Sequence, residues 1–128
     1  LRLSTGNDDI DLSGLTVTGL ERIEGLSGND RIRGSSSDEE LVGGMGRDVF
    51  IFAGAFGNDT IVDFQRPMGP SSGDLIDLSA FRFSSFSQVL ASTRQMGSDS
   101  VIFIDNTASS ITIDNISMAF LKADNFIL

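Results

Sequence analysis

A five-residue pattern of small residue, any, acid, any, apolar recurs six times in the first half of the chain. It reads Gly6-x-Asp8-x-Ile10, Gly19-x-Glu21-x-Ile23, Gly28-x-Asp30-x-Ile32, Ser37-x-Glu39-x-Leu41, Gly46-x-Asp48-x-Phe50 and Gly57-x-Asp59-x-Ile61. Successive copies are offset by 13, 9, 9, 9 and 11 residues, and three equal steps in a row mark a repeat. Nine residues are too few for a helix pair or a hairpin, but they suit one turn and one short strand of a solenoid. Two units then complete one coil, so strands n and n+2 lie side by side at about 4.8 Å. The expected fold class is all-β: a short parallel β-roll (nonapeptide solenoid) with the apolar residue of each unit inside and the turns stacked along two edges.

Composition decides what those edges can do. The 128 residues contain no His and no Cys, and 18 acidic against 9 basic side chains give a net charge of −9. A metal site must therefore be built from oxygen, and calcium accepts irregular cages rich in backbone carbonyls better than magnesium does. The negative charge disfavours nucleic acid as a partner, and no apolar run approaches the eighteen or so residues of a membrane span. Triads and zinc hydrolysis are excluded, and the acids lie in repeat turns, so the chain is not expected to be an enzyme. It begins with Leu1 rather than Met, which suggests an upstream domain in a longer protein.

The stretch "GGMGRDVFI", Gly43 to Ile51, resembles in full the GGxGxDxUx nonapeptide of RTX proteins, and "GLSGNDRIR" (25–33) and "GAFGNDTIV" (54–62) are looser copies. The resemblance implies calcium bound between stacked turns of a parallel β-roll. Bare glycine backbone turns carbonyls inward while Asp supplies the charge. Candidate ligands are Asp8, Gly25, Ser27, Gly28, Asp30, Gly43, Met45, Gly46, Asp48 and Asp59. Alternate units differ: units one, three and five carry Asp8, Asp30 and Asp48, whereas two and four carry Glu21 and Glu39, and unit four, "GSSSDEE", has lost its glycine pattern. Glutamate is one methylene longer, so the Asp8/Asp30/Asp48 edge is expected to hold calcium. The Glu21/Glu39 edge is expected to be metal-free or weak, its turns held by Ser, Thr and Asn. In the thirteen-residue step, a bulge is expected while Leu15 or Val17 still packs inward.

Residues 1–62 form the nonapeptide roll on this reading, and 63–128 a β-rich capping and secretion-signal region of the same structural domain. "IVDFQRPMGPSSGDLIDLSAF" resembles the closing segment of serralysin-type proteases and alginate epimerase R-modules, implying further calcium ligands at Asp63 and Asp74. A loop marked by Pro67, Gly69, Pro70 and Gly73 is expected there. "SSFSQVLASTRQ" reads as a short helix after Ser85 with Phe86, Val89 and Leu90 on one face, covering an open end of the roll. "DSVIFID" and "SSITID" read as antiparallel strands joined by "NTAS", with Val101, Phe103, Ile111 and Ile113 facing a core. "SMAFLKADNFIL" reads as one or two helical turns and a last strand. Its ending resembles a C-terminal export signal read by type I secretion machinery, implying a secreted, extracellular protein. A second reading is a carbohydrate-binding or adhesin module in which Arg31, Arg33 and Arg47, with Arg22, meet an acidic polysaccharide.

Overall fold

The computed structural model describes residues 1–66, 72–104 and 108–128. Its strands are short because each unit spends most of its nine residues turning: β1 (Asp9–Asp11), β2 (Arg22–Glu24), β3 (Arg31–Arg33), β4 (Glu40–Val42), β5 (Val49–Ile51) and β6 (Asn58–Ile61). The remaining elements are β7 (Leu75–Asp77), α1 (Phe86–Ala91), β8 (Thr93–Met96), β9 (Asp99–Ile104), β10 (Ser109–Ile113) and β11 (Phe126–Ile127), with 3-10 turns at Ser79–Phe81, Met118–Phe120 and Ala123–Asn125. One sheet runs β1-β3-β5-β7-β11 and the other β2-β4-β6-β10-β9-β8. Odd and even units thus separate onto two faces, as a two-unit coil requires. All pairings are parallel except β10 with β9 and β9 with β8.

The register stacks like on like. In one sheet Ile10, Ile32, Phe50, Ile76 and Phe126 are successive partners. In the other the row is Ile23, Leu41, Ile61 and Ile113. These side chains, with Phe52, Phe56, Val89 and Ile102, make one core in which Phe50 and Phe52 are the largest fully buried residues. A one-residue slip in a strand would turn its buried residue to solvent, and at Ile10 and Ile32 would bring the flanking Asp or Arg inward, so the alternation fixes the register. Both sheets continue past residue 62, since β5 pairs with β7 and β6 with β10.

Some expectations are corrected in detail. Phe103 is 39% exposed, while Ile102 is fully buried opposite Ile111. Strand β9 buries Val101 as expected, but it pairs Ile102 with Ile111 and buries Ile102 and Ile104 as well, leaving Phe103 outside. Leu15 is 51% exposed and Val17 only half-buried outside the core cluster; Leu12 and Leu20, at the ends of the bulge, pack on the core in their place. The helix begins after Ser85 and buries Val89. Residues 67–71 of the expected Pro/Gly loop and 105–107 of the "NTAS" connection lie outside the described residues. No helix among the described residues is long and apolar enough to cross a membrane.

Candidate metal centre

Along the edge formed by odd-numbered units, the aspartates build a ladder. The Asp30 Oδ1 accepts from the N–H of Asp8 at 2.8 Å, Asp48 Oδ1 from the N–H of Asp30 at 2.9 Å, and Asp74 Oδ1 from the N–H of Asp48 at 2.9 Å. Each bond fixes one carboxylate oxygen and aims the other along the edge. In Asp30 and Asp48 that second oxygen, Oδ2, is buried and has no hydrogen-bond partner. An unpartnered carboxylate oxygen in the interior is costly unless a cation or proton meets it. Burial accordingly pushes both carboxyls up from their ordinary range, against the opposing effect of the ladder bonds.

The turns close around those oxygens. A Cβ on Gly25 would collide with Asp30 Oδ2 and with the carbonyl oxygen of Gly43 in the next coil, and one on Gly43 would collide with Asp48 Oδ2. Gly46 has φ of +126°, and a side chain there would strike the carbonyl of Gly28. Gly28 stands in the same relation to the Gly6 carbonyl. The glycines therefore hold carbonyls and carboxylates within a few ångströms of one another between coils. Ser27 Oγ donates to the Thr5 carbonyl at 3.2 Å, and Ser27 bridges Met45, whose carbonyl accepts from Gly28 N–H at 2.9 Å. The Met45 side chain points to solvent, 70% exposed.

Other expected ligands are placed differently. Asp8 accepts from the N–H of Ser4 at 2.7 Å and from its hydroxyl at 2.9 and 3.0 Å. Both oxygens of Asp63 are engaged by the turn, accepting from Gly43 N–H at 2.9 Å and Gly44 N–H at 2.8 Å. Asp74 Oδ2 accepts from Gln65 N–H at 2.8 Å. On the opposite edge Glu21 is exposed, and Glu39 is held by Ser35 through its N–H and its hydroxyl. Asp59 repeats the ladder there: Oδ1 accepts from Glu39 N–H at 2.9 Å, and Oδ2 is buried without a partner. Arg31 and Arg33 lie 3.6 Å from Asp9 and Asp11, and Arg47 donates to the Gly73 carbonyl at 3.2 Å, so each arginine is already engaged.

A second ladder escaped the sequence reading. Asn7 Oδ1 accepts from Asn29 N–H at 2.7 Å, Asn29 Oδ1 from Arg47 N–H at 2.8 Å, and Asp38 Oδ1 from Asn58 N–H at 2.8 Å. It runs opposite to the aspartate ladder and ties the turns together independently of any ion. Its trace in the sequence is the "GND" triplet at 6–8, 28–30 and 57–59.

Among the described residues no three acidic side chains converge as a self-sufficient metal site. The donor set available is one free carboxylate oxygen in each of the Asp30, Asp48 and Asp59 turns, completed by backbone carbonyls, which suits a hard cation that takes six to eight oxygens. A family model for the RTX calcium-binding nonapeptide repeat, in four copies, matches residues 16–50. Residues 16–50 thus match RTX calcium-binding repeats. Comparison with curated proteins gives no match. Among solved structures, the chain is similar to the AlgE6R3 subunit of the Azotobacter vinelandii mannuronan C5-epimerase, at 28% identity and a TM-score of 0.61, covering 98% of this chain and 80% of that one. It is also similar in fold to extracellular lipase LipA from Serratia marcescens, at 19% identity and a TM-score of 0.53, covering 98% of this chain but only 20% of the lipase.

The buried acids give a pH dependence. Burial raises Asp59 to about 8 and Asp74 to about 7, and raises Asp30 and Asp48 in the same direction. A folded pKa above the unfolded one means that the folded state holds more protons, so its stabilisation is complete below about pH 4 and lost as pH rises through 7 to 8. Metal-free protein is therefore expected to melt at a higher temperature at pH 5.5 than at pH 8, as read by circular dichroism in chelator. Equal midpoints would show that these carboxyls are not desolvated.

Proposed function

We propose that the RTX module is a calcium-dependent folding unit of a larger secreted protein. The observation that carries this reading is the pair of buried, unpartnered oxygens, Asp30 Oδ2 and Asp48 Oδ2, set against glycine turns that present backbone carbonyls. Asp30, Asp48 and the turns at Gly25, Gly28, Gly43 and Gly46 would hold the ions, with Asp63 and Asp74 bracing the last turn. Calcium supplies the positive charge these oxygens lack. Because the cage exists only when two coils are stacked, calcium binds the folded chain and stabilises it.

Low cytosolic and high extracellular calcium would then keep the chain loose inside the cell and fold it outside. The similarity in fold to an extracellular lipase supports a role outside the cell, with the strands after residue 62 closing the roll. Replacing Asp48 with Asn tests the cage directly. Asn keeps the acceptor for Asp30 N–H but removes the buried charge, so Asp48→Asn is expected to lower the melting temperature in calcium and to leave it unchanged or raised in chelator. A loss of equal size in both conditions would contradict a metal role for Asp48.

A further inference from the structure

Five of the six repeat acids fall into two classes that do not follow the two edges; the sixth, Glu21, is exposed and stands outside both. Asp30, Asp48 and Asp59 each keep a buried Oδ2 without a partner. Asp8 and Glu39 do not, and in both the residue four positions earlier is serine. Ser4 gives its N–H and hydroxyl to Asp8, and Ser35 gives its N–H and hydroxyl to Glu39. The residues four before Asp30, Asp48 and Asp59 are Leu26, Gly44 and Ala55, which have no side-chain donor.

Backbone conformation divides the odd-numbered units in the same way. Leu26 and Gly44 have φ of +78° and +94°, in the left-handed region, whereas Ser4 is not among the residues with positive φ, and neither is Ser35. A leucine held at positive φ is strained. In that conformation the N–H of residue 26 or 44 is not turned onto the acid of its own turn; Gly44 N–H goes to Asp63 instead.

We propose that, in the turns other than that of the exposed Glu21, the residue four before the acid decides whether a repeat turn takes a cation: Ser4 and Ser35 latch their own acids in place of an ion, leaving the turns of Asp30, Asp48 and Asp59 to bind calcium. The module is then a mosaic, with latched turns that hold their shape without metal beside turns that need it. The inference rests on the calcium reading above and extends it to the opposite edge, where Asp59 supplies the free oxygen. A Cβ on Gly34 would lie 2.6 Å from Glu39 Oε2 and 3.7 Å from Asp59 Oδ2, so Glu39 borders that site and is no neutral control.

The test counts calcium ions on the whole chain by native mass spectrometry, with melting followed in parallel in calcium and in chelator. Asp30→Asn, Asp48→Asn and Asp59→Asn are each expected to carry one ion fewer than the unmodified chain. Asp8→Asn, Ser4→Ala and Ser35→Ala are expected to keep the full count, and the two serine variants to melt a few degrees lower in chelator. An ion lost from Asp8→Asn or Ser4→Ala, or a full count in Asp59→Asn, would overturn the latch while leaving the calcium reading intact. No calcium on the unmodified chain would overturn both. The serine and Asp8 variants keep the test decisive where an Asn variant fails to fold.

Discussion

Chelating calcium is expected to lower the melting temperature of the protein by tens of degrees. A single site that binds only the folded chain contributes about 2.7 kcal/mol at a free-ion concentration a hundred times its Kd. Two or three such sites would together contribute roughly 5–8 kcal/mol, comparable to the whole stability of a typical domain. The chain is poorly placed to make up the difference: without an ion the free oxygens of Asp30, Asp48 and Asp59 stay buried among like charges. Differential scanning calorimetry in calcium and in chelator checks this, and a midpoint that moves by only a degree or two would contradict it.

Phe50→Ala is expected to be the most damaging core substitution. The ring is fully buried and stacks between Ile32 and Ile76 in the middle of its sheet, two residues after Asp48. Truncating a buried Phe costs about 3–5 kcal/mol, part of it for the cavity left behind. For a domain of this size that corresponds to a drop on the order of 10–20 °C. The same side chain pins the strand that leaves the Gly43–Asp48 turn, so calcium affinity is expected to fall as well. Thermal melting with a calcium titration reads both effects. Unchanged affinity in a destabilised protein would mean that the cage is set by the turns alone.

The repeat made the roll legible because its period is shorter than any hairpin or helix pair and because β-branched and aromatic residues recur at one position. That position alone predicts the two sheets and the rows from Ile10 to Phe50 and from Ile23 to Ile61. The C-terminal region was less legible. In "DSVIFID" both alternations are apolar, so only the pairing of Ile102 with Ile111 decides that Phe103 points outward. The site was legible as a class of residue, aspartate after glycine, but not as individual bonds. Asp8, Asp30 and Asp48 look alike in sequence, yet their carboxylates differ because Ser4 reaches back to one of them and nothing comparable reaches the others. Asp63 was likewise visible as an acid near a turn, but its grip on Gly43 and Gly44 depends on the fold bringing residues twenty apart together.

The central claim is that one calcium ion sits against Asp30 Oδ2 and another against Asp48 Oδ2, between coils. Anomalous diffraction from crystals grown in calcium measures this most directly. The account predicts peaks at about 2.3–2.6 Å from each of those oxygens, the usual calcium–oxygen distance, with backbone carbonyls from two successive turns completing each shell. Calcium bound only elsewhere on the surface, with those two oxygens facing water or another protein group, would contradict it.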